Sequence, residues 1–429
     1  MSTAVAQQMA SYITAGVTPH HVCAETARQL SGAGFVEQDL REEWNGGTGG
    51  HFCVVDGTIV AWWVPEGSTA STGLRIIAAH TDSPVLKVKP RPDTGAAGWQ
   101  QVAVEVYGGA LWNSWLDRDL GIAGRVALVD GSSHLIRIDQ PLLRIPQLAP
   151  HLDRGINTRG LTLNPQQHLL PLWGTGPVDD GVLMEHLCAE TDFSASDVVG
   201  HDLLLHDLTP PSLLGREQDL LAAPRLDNLS SSYAGLTALL QNVEKSPHAD
   251  VISVFAAFDH EEVGSGTFTG AGGPLLSHII RRIGISLGGT EEELGRMLAA
   301  SRCLSADAAH AVNPNYLSHY DPGHYLQINQ GPALKVNADQ HYGTDAIGTA
   351  AWIRACRTAE IPTQTFVGRN DVTCGSTLGK FVATSLGVRT VDVGIPILSM
   401  HSTRELGGVL DAGYLVSGIA EFLLDPAER

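Results

Sequence analysis

At 429 residues the chain is long enough for two or three domains with a large core, and 43% hydrophobic against 17% charged residues is the balance of a soluble globular enzyme. A formal net charge of −19 argues against a nucleic-acid or anionic-membrane surface, so neither nucleic acid nor membrane is expected as a partner. Six scattered cysteines without CxxC spacing exclude a disulfide framework and predict buried free thiols in a reducing compartment.

Residues 1–10 lack the basic and apolar regions of a secretory signal, and no apolar run approaches the ~20 residues of a membrane span; the expected location is the cytoplasm. Apolar positions at helical spacing predict helices across 4–32. Residues 74–80 read as a strand ending at His80, followed by the polar loop 81–84. From about residue 88 the texture changes. Residues 102–107 alternate, and 124–138 read as a hairpin turning at Asp130-Gly131. This β-rich stretch carries Trp99, Trp112, Trp115 and Trp173, then runs irregularly to about 217 with few helix signals. A helix is predicted over 229–243 and a buried strand over 251–258, which ends in Asp259, His260, Glu261 and Glu262. Helices at 291–301, 343–359, 376–385 and 411–424 then alternate with strands at 302–307, 363–367 and 388–395. Such alternation indicates an α/β fold, a mixed sheet flanked by helices. The simplest organisation is one α/β domain made of 1–87 and 218–429, interrupted by a β-rich inserted domain over 88–217.

Four apolar strands end in residues that bind metals: His80 with Asp82 two residues on, the pair Glu261-Glu262, Asp307 with His310 three residues on, and the segment that leads to His401. Asp227, just before the helix at 229, is a fifth candidate and equally reads as its N-cap. Strand ends are where sheets of this class gather ligands and catalytic groups. Adjacent carboxylates such as Glu261 and Glu262 repel each other and are costly to desolvate, so they make sense as a metal ligand beside a proton carrier; a solvated acidic loop is the plain alternative. Imidazoles and carboxylates without cysteine suit zinc, manganese or cobalt. Two histidines and three carboxylates can hold two divalent ions if one carboxylate bridges. A free carboxylate would then take the proton of an attacking water and pass it to a leaving amine. The His-x-Asp spacing lets Asp82 fix the tautomer of His80.

The segments 80–84, 225–229, 259–265, 305–314, 331–337 and 399–405 resemble, in order, the motifs of the aspartyl aminopeptidase family of dinuclear zinc metallopeptidases. The resemblance implies a zinc-peptidase α/β domain with an inserted dimerisation domain. It also implies removal of N-terminal Asp or Glu from peptides, and assembly as a dimer-based tetrahedral dodecamer. It implies that His80, Asp227 and Asp307 bind one zinc and that Asp227, Glu262 and His401 bind the other, with Asp227 bridging and Glu261 as general base. Lys335 matches the residue that faces the substrate's side-chain carboxylate, and Tyr342 lines the same region. His310 matches a substrate-contacting histidine. His151 matches one that the inserted domain of a neighbouring subunit projects into the active site. Where family members commonly carry Asn-Gln-Arg-Tyr-Ala after the lysine, this chain has Asp339, Gln340, His341, Tyr342 and Gly343. Losing an arginine and gaining an aspartate there predicts weaker acidic selectivity, or selectivity that follows the protonation of His341. A deacylase or carboxypeptidase on the same donor set, and a non-catalytic shell that uses only the assembly, are the competing readings.

Overall fold

The computed structural model describes residues 2–44, 47–245 and 250–425, which divide into two compact units. One comprises the described residues of 1–82, 211–400 and 405–425; the other comprises 83–210 with the short segment 401–404.

The first unit is built on a nine-stranded mixed sheet whose centre consists of Ile252–Phe258, Leu74–His80, Arg302–Ala306 and Arg389–Gly394, in that order. Neighbours among these four run parallel, so all their carboxyl ends lie along one edge. Every residue of the first three strands is buried, which explains why they read as continuous apolar runs. Their period of two is still visible in the packing. Ile77, Ala79, Phe255, Ala257, Leu304 and Ala306 enter one core cluster; Ile76, Ala78, Val254, Ala256, Phe258 and Cys303 enter another. Helices cover both faces: Ser2–Ala15, Pro19–Gly32, Leu226–Lys245, Ala346–Thr358 and Val409–Leu424 supply the first cluster, and Leu275–Ser286, Glu291–Ala299 and Gly379–Leu386 the second. Local chemistry sets several helix starts. Thr18 caps the second helix ahead of Pro19, Thr290 and Glu293 form a capping box, and the Asp345 carboxylate accepts the N–H of Gly348. At the amino ends of the strands, Arg75 donates to the Asp425 carbonyl at 2.8 Å and Arg302 to its carboxylate at 2.7 Å.

Beside the central strands, Gly49–Val55 and Thr58–Val64 form a hairpin through Asp56 and Gly57, where Asp56 has φ 53°. A five-stranded sheet in the same unit pairs Leu220–Ala223 with Glu405–Gly408.

The second unit is a six-stranded antiparallel sheet: Ser133–Leu143, Leu120–Leu128, Val198–Asp207, Val85–Ala96, Trp99–Tyr107 and Leu172–Thr175. The hairpin of Leu120–Leu128 and Ser133–Leu143 turns at Asp130-Gly131, with Gly131 at φ 87°, a conformation that favours glycine. Short helices Ile156–Arg159, Pro165–His168 and Val182–Cys188 interrupt the stretch that sequence marks as irregular. All six cysteines are free. No helix among the described residues is long and apolar enough to cross a membrane.

Candidate metal centre

The shared carboxyl edge of the central strands brings together the residues the sequence singles out. His80 is the last residue of its strand, and Phe258, which pairs with it, leads into Asp259 and the turn Glu261–Val263. Ala306 ends the third strand, so Asp307 follows at the same level. Asp227 comes from the other direction, at the start of the helix Leu226–Lys245, where its ψ of 106° is non-helical and the Asp227–Asn228 peptide is cis. His80, Asp227 and Asp307 each offer one ligand atom within 4.8 Å of the others; His80, Glu261 and Glu262 do the same.

The surroundings hold each group in place. His80 Nε2 lies 3.3 Å from Asp227 Oδ1 and 3.7 Å from Asp307 Oδ1, while its Nδ1 is 3.0 Å from the main-chain carbonyl of Asp82. The Asp82 carbonyl is thus the nearer partner of Nδ1, with the Asp82 carboxylate farther off at 3.4 Å. That carboxylate also serves the next turn, where it accepts the N–H of Glu261 and of Glu262, each at 3.1 Å. Ser232 donates to the carbonyl of His80 at 2.8 Å and Asn228 to that of Ala306 at 2.8 Å, which ties the helix start to two strand ends. The buried Glu405 carboxylate accepts the N–H of Asp227 at 2.9 Å. Asp307 donates its N–H to Val393 O at 2.9 Å, and a Cβ on Gly394 would lie 1.7 Å from the Asp307 carbonyl.

Five carboxylates, those of Asp82, Asp227, Glu261, Glu262 and Asp307, crowd around one imidazole, with His80, Asp82, Asp227 and Asp307 all buried. Burial and the charges of Asp307, Asp82 and Asp227 push the Glu261 carboxyl up to about 8, against the pull of His80. Burial lowers His80, but Asp227, Asp307 and Asp82 outweigh it and lift the imidazole well above its usual range. Such a concentration of negative charge demands a cation, and an N/O donor set free of sulfur fits a divalent ion such as zinc.

The substrate candidates are placed unevenly. Lys335, in the strand Ala333–Val336, is only 2% exposed, with Nζ 3.7 Å from Asp307 Oδ2 and 5.5 Å from the centroid of Tyr342. Tyr342 is buried and meets Phe366 edge-on, with centroids 6.3 Å apart; burial lifts its hydroxyl far above the ordinary range. His310 is exposed and lines a cavity of about 210 Å³ with Tyr342 and Phe366. His151 lies in an exposed turn of the second unit. His401 belongs to the segment grouped with that unit, where its Nδ1 is 3.0 Å from the carbonyl of Gly109. Sequence reading missed Glu405, although it sits inside a quoted motif, and also missed Asp392, a carboxylate buried in mid-strand. No local signal distinguishes either one, because each acts through bonds to distant segments.

The family of aminopeptidase I zinc metalloproteases, M18, matches residues 12–423. The chain belongs to the M18 family. It is 50% identical over 414 residues to a probable M18 family aminopeptidase 2 of Streptomyces coelicolor, covering 96% of each chain. Its fold superposes with a TM-score of 0.95 on a chain of the cryo-EM structure of the Ape4 and Nbr1 complex, at 34% identity, covering 99% of this chain and 86% of that one. It superposes with a TM-score of 0.85 on the S. cerevisiae mApe1 dodecamer structure, at 29% identity, covering 98% and 96%. As an M18 protein it is a zinc aminopeptidase, and the buried carboxylates and imidazole on the strand edge suit that metal.

Proposed function

We propose that this M18 aminopeptidase removes N-terminal Asp or Glu from peptides in the cytoplasm, at a centre that holds two zinc ions. His80, Asp227 and Asp307 would hold one ion; by the resemblance of the sequence motifs, Asp227, Glu262 and His401 would hold the other, with Asp227 shared. Bound there, the ions would supply an acidified water and polarise the scissile carbonyl. Glu261 receives the proton of the attacking water and delivers it to the departing amine. Asp82 holds Glu261 and Glu262 in register through their N–H groups.

The observation that carries the acidic preference is Lys335. A chain of net charge −19 repels acidic peptides at long range, so selectivity for them needs local positive charge in a desolvated pocket. Lys335 supplies an ammonium group that is almost wholly buried, close to Asp307 and over the ring of Tyr342. His310 and Tyr342 would line the side-chain pocket. We also infer a homo-oligomer, a tetrahedral dodecamer built from dimers, from the dodecamer formed by S. cerevisiae mApe1. In it the inserted domain, residues 88–217, is the dimerisation domain and His151 enters a neighbouring subunit's site. Turnover of Asp-, Glu-, Leu- and Ala-anilides on metal-analysed protein, with molar mass measured alongside, tests the reading. Preference for the acidic pair with two zinc ions per chain supports it; equal turnover of the neutral pair removes the acidic assignment.

A further inference from the structure

Lys335 does not stand alone in its strand. In the antiparallel pair, Ala333 lies opposite Gly394 and Leu334 opposite Val393, and the same register carried one step sets Lys335 opposite Asp392. Asp392 is fully buried, and burial raises its carboxyl above the usual range while the charge of Lys335 is among the influences that lower it. Its oxygens are engaged: Oδ1 accepts the hydroxyl of Thr377 at 2.5 Å and Oδ2 the N–H of Gly343 at 2.6 Å. Its own N–H donates to Thr344 Oγ1 at 2.9 Å. A Cβ on Gly379 would lie 2.4 Å from Asp392 Oδ1, so the carboxylate fills the space beneath the helix Gly379–Leu386.

We propose that Asp392 is a specificity-positioning residue, which stands opposite Lys335 and pins the Gly343-Thr344 turn so that Lys335 and Tyr342 form the receptor for an acidic side chain. The proposal rests on the reading of Lys335 given above. Two bonds from Asp392 fix the residues that directly follow Tyr342, and through them the ring that sits 5.5 Å from Lys335 Nζ. The geometric link between Asp392 and the ammonium therefore runs through the pinned turn, which holds Tyr342 against Lys335 while Asp307 stands 3.7 Å from Nζ. Asp392 touches neither the attacking water nor the scissile bond in this scheme, so its effect falls on recognition.

The test compares Asp392→Asn with the parent enzyme on Asp-anilide and Leu-anilide, with zinc content and thermal midpoint recorded. The expected result is a rise in KM for the acidic substrate of about tenfold or more, with Leu-anilide kcat/KM within about twofold of the parent and zinc unchanged. Equal losses on both substrates, or an unchanged acidic-to-neutral ratio, overturn the proposal. Thr344→Val, which removes only the acceptor of the Asp392 N–H, gives the same discrimination if Asp392→Asn fails to fold. Lys335→Met separates the two ideas. If it abolishes acidic preference while Asp392→Asn and Thr344→Val leave the ratio unchanged, only the positioning role falls. If the parent enzyme shows no acidic preference, or Lys335→Met retains it, the reading of Lys335 falls and takes this proposal with it.

Discussion

Asp82 Oδ1 accepts the backbone N–H of Glu261 at 3.1 Å, so a loop that follows one central strand sets the position of the proposed general base that follows its neighbour. The partner oxygen takes the N–H of Glu262 at the same distance. One buried carboxylate therefore orders both members of an acidic pair that would otherwise repel each other.

Removing that carboxylate should damage catalysis more than metal binding. Asp82→Ala keeps the main-chain carbonyl that faces His80 Nδ1 but frees the Glu261–Val263 turn. The expected outcome is a kcat lower by about 10–100-fold with zinc content near that of the parent. Steady-state kinetics on metal-analysed protein checks it, and loss of zinc in proportion to activity would count against the assignment.

Gly394 tests the scaffold behind Asp307. A methyl group placed 1.7 Å from the Asp307 carbonyl cannot be accommodated without moving that strand end. Gly394→Ala should destabilise the protein by about 1–3 kcal/mol or more and weaken zinc retention against a chelator. Thermal unfolding and zinc release on titration with EDTA read both effects; unchanged behaviour in both would show that the strand end yields freely.

Much of the fold was legible because the central strands are buried on both faces, which leaves unbroken apolar runs ending in His80, Glu261-Glu262 and Asp307. The hairpin Gly49–Val55 and Thr58–Val64 went unread even though Asp56-Gly57 between apolar segments is a turn signal. The helix Leu275–Ser286 was also missed; Pro274 precedes it with no side-chain cap, and the glycines before it read as loop. At the site, donor identity could be read from strand ends, but partnership could not. That Lys335 is buried rather than solvated follows from its neighbours in a folded sheet. That the Asp82 carboxylate also holds the Glu261 turn depends on two N–H groups about 180 residues away in the chain. Glu405 and Asp392 are invisible for the same reason, since their bonds reach Asp227, Gly343 and Thr377.

The second unit offers a pH prediction independent of the metal. Burial raises the carboxyl of Asp202, but Lys87 Nζ at 2.8 Å and Arg125 Nη2 at 3.0 Å outweigh it and hold the group at about 2. A depressed carboxylate stabilises the folded state above its unfolded value near ~3.9, and that contribution fades as pH falls toward 2. The side chain is 40% exposed, so solvent screening reduces the shift to about 1 kcal/mol of stability. Asp202→Asn should thus be less stable at pH 7 by that amount, and the gap should narrow between pH 4 and pH 2. Urea unfolding across that range measures it; a gap that stays constant with pH would remove the electrostatic explanation.

The most direct test of the whole account is Glu261→Gln, assayed for turnover alongside zinc content. The proton-transfer role predicts a kcat lower by about 10²–10⁴-fold, with two zinc ions per chain retained and the assembly unchanged. Turnover close to that of the parent enzyme, at full zinc content, would contradict it.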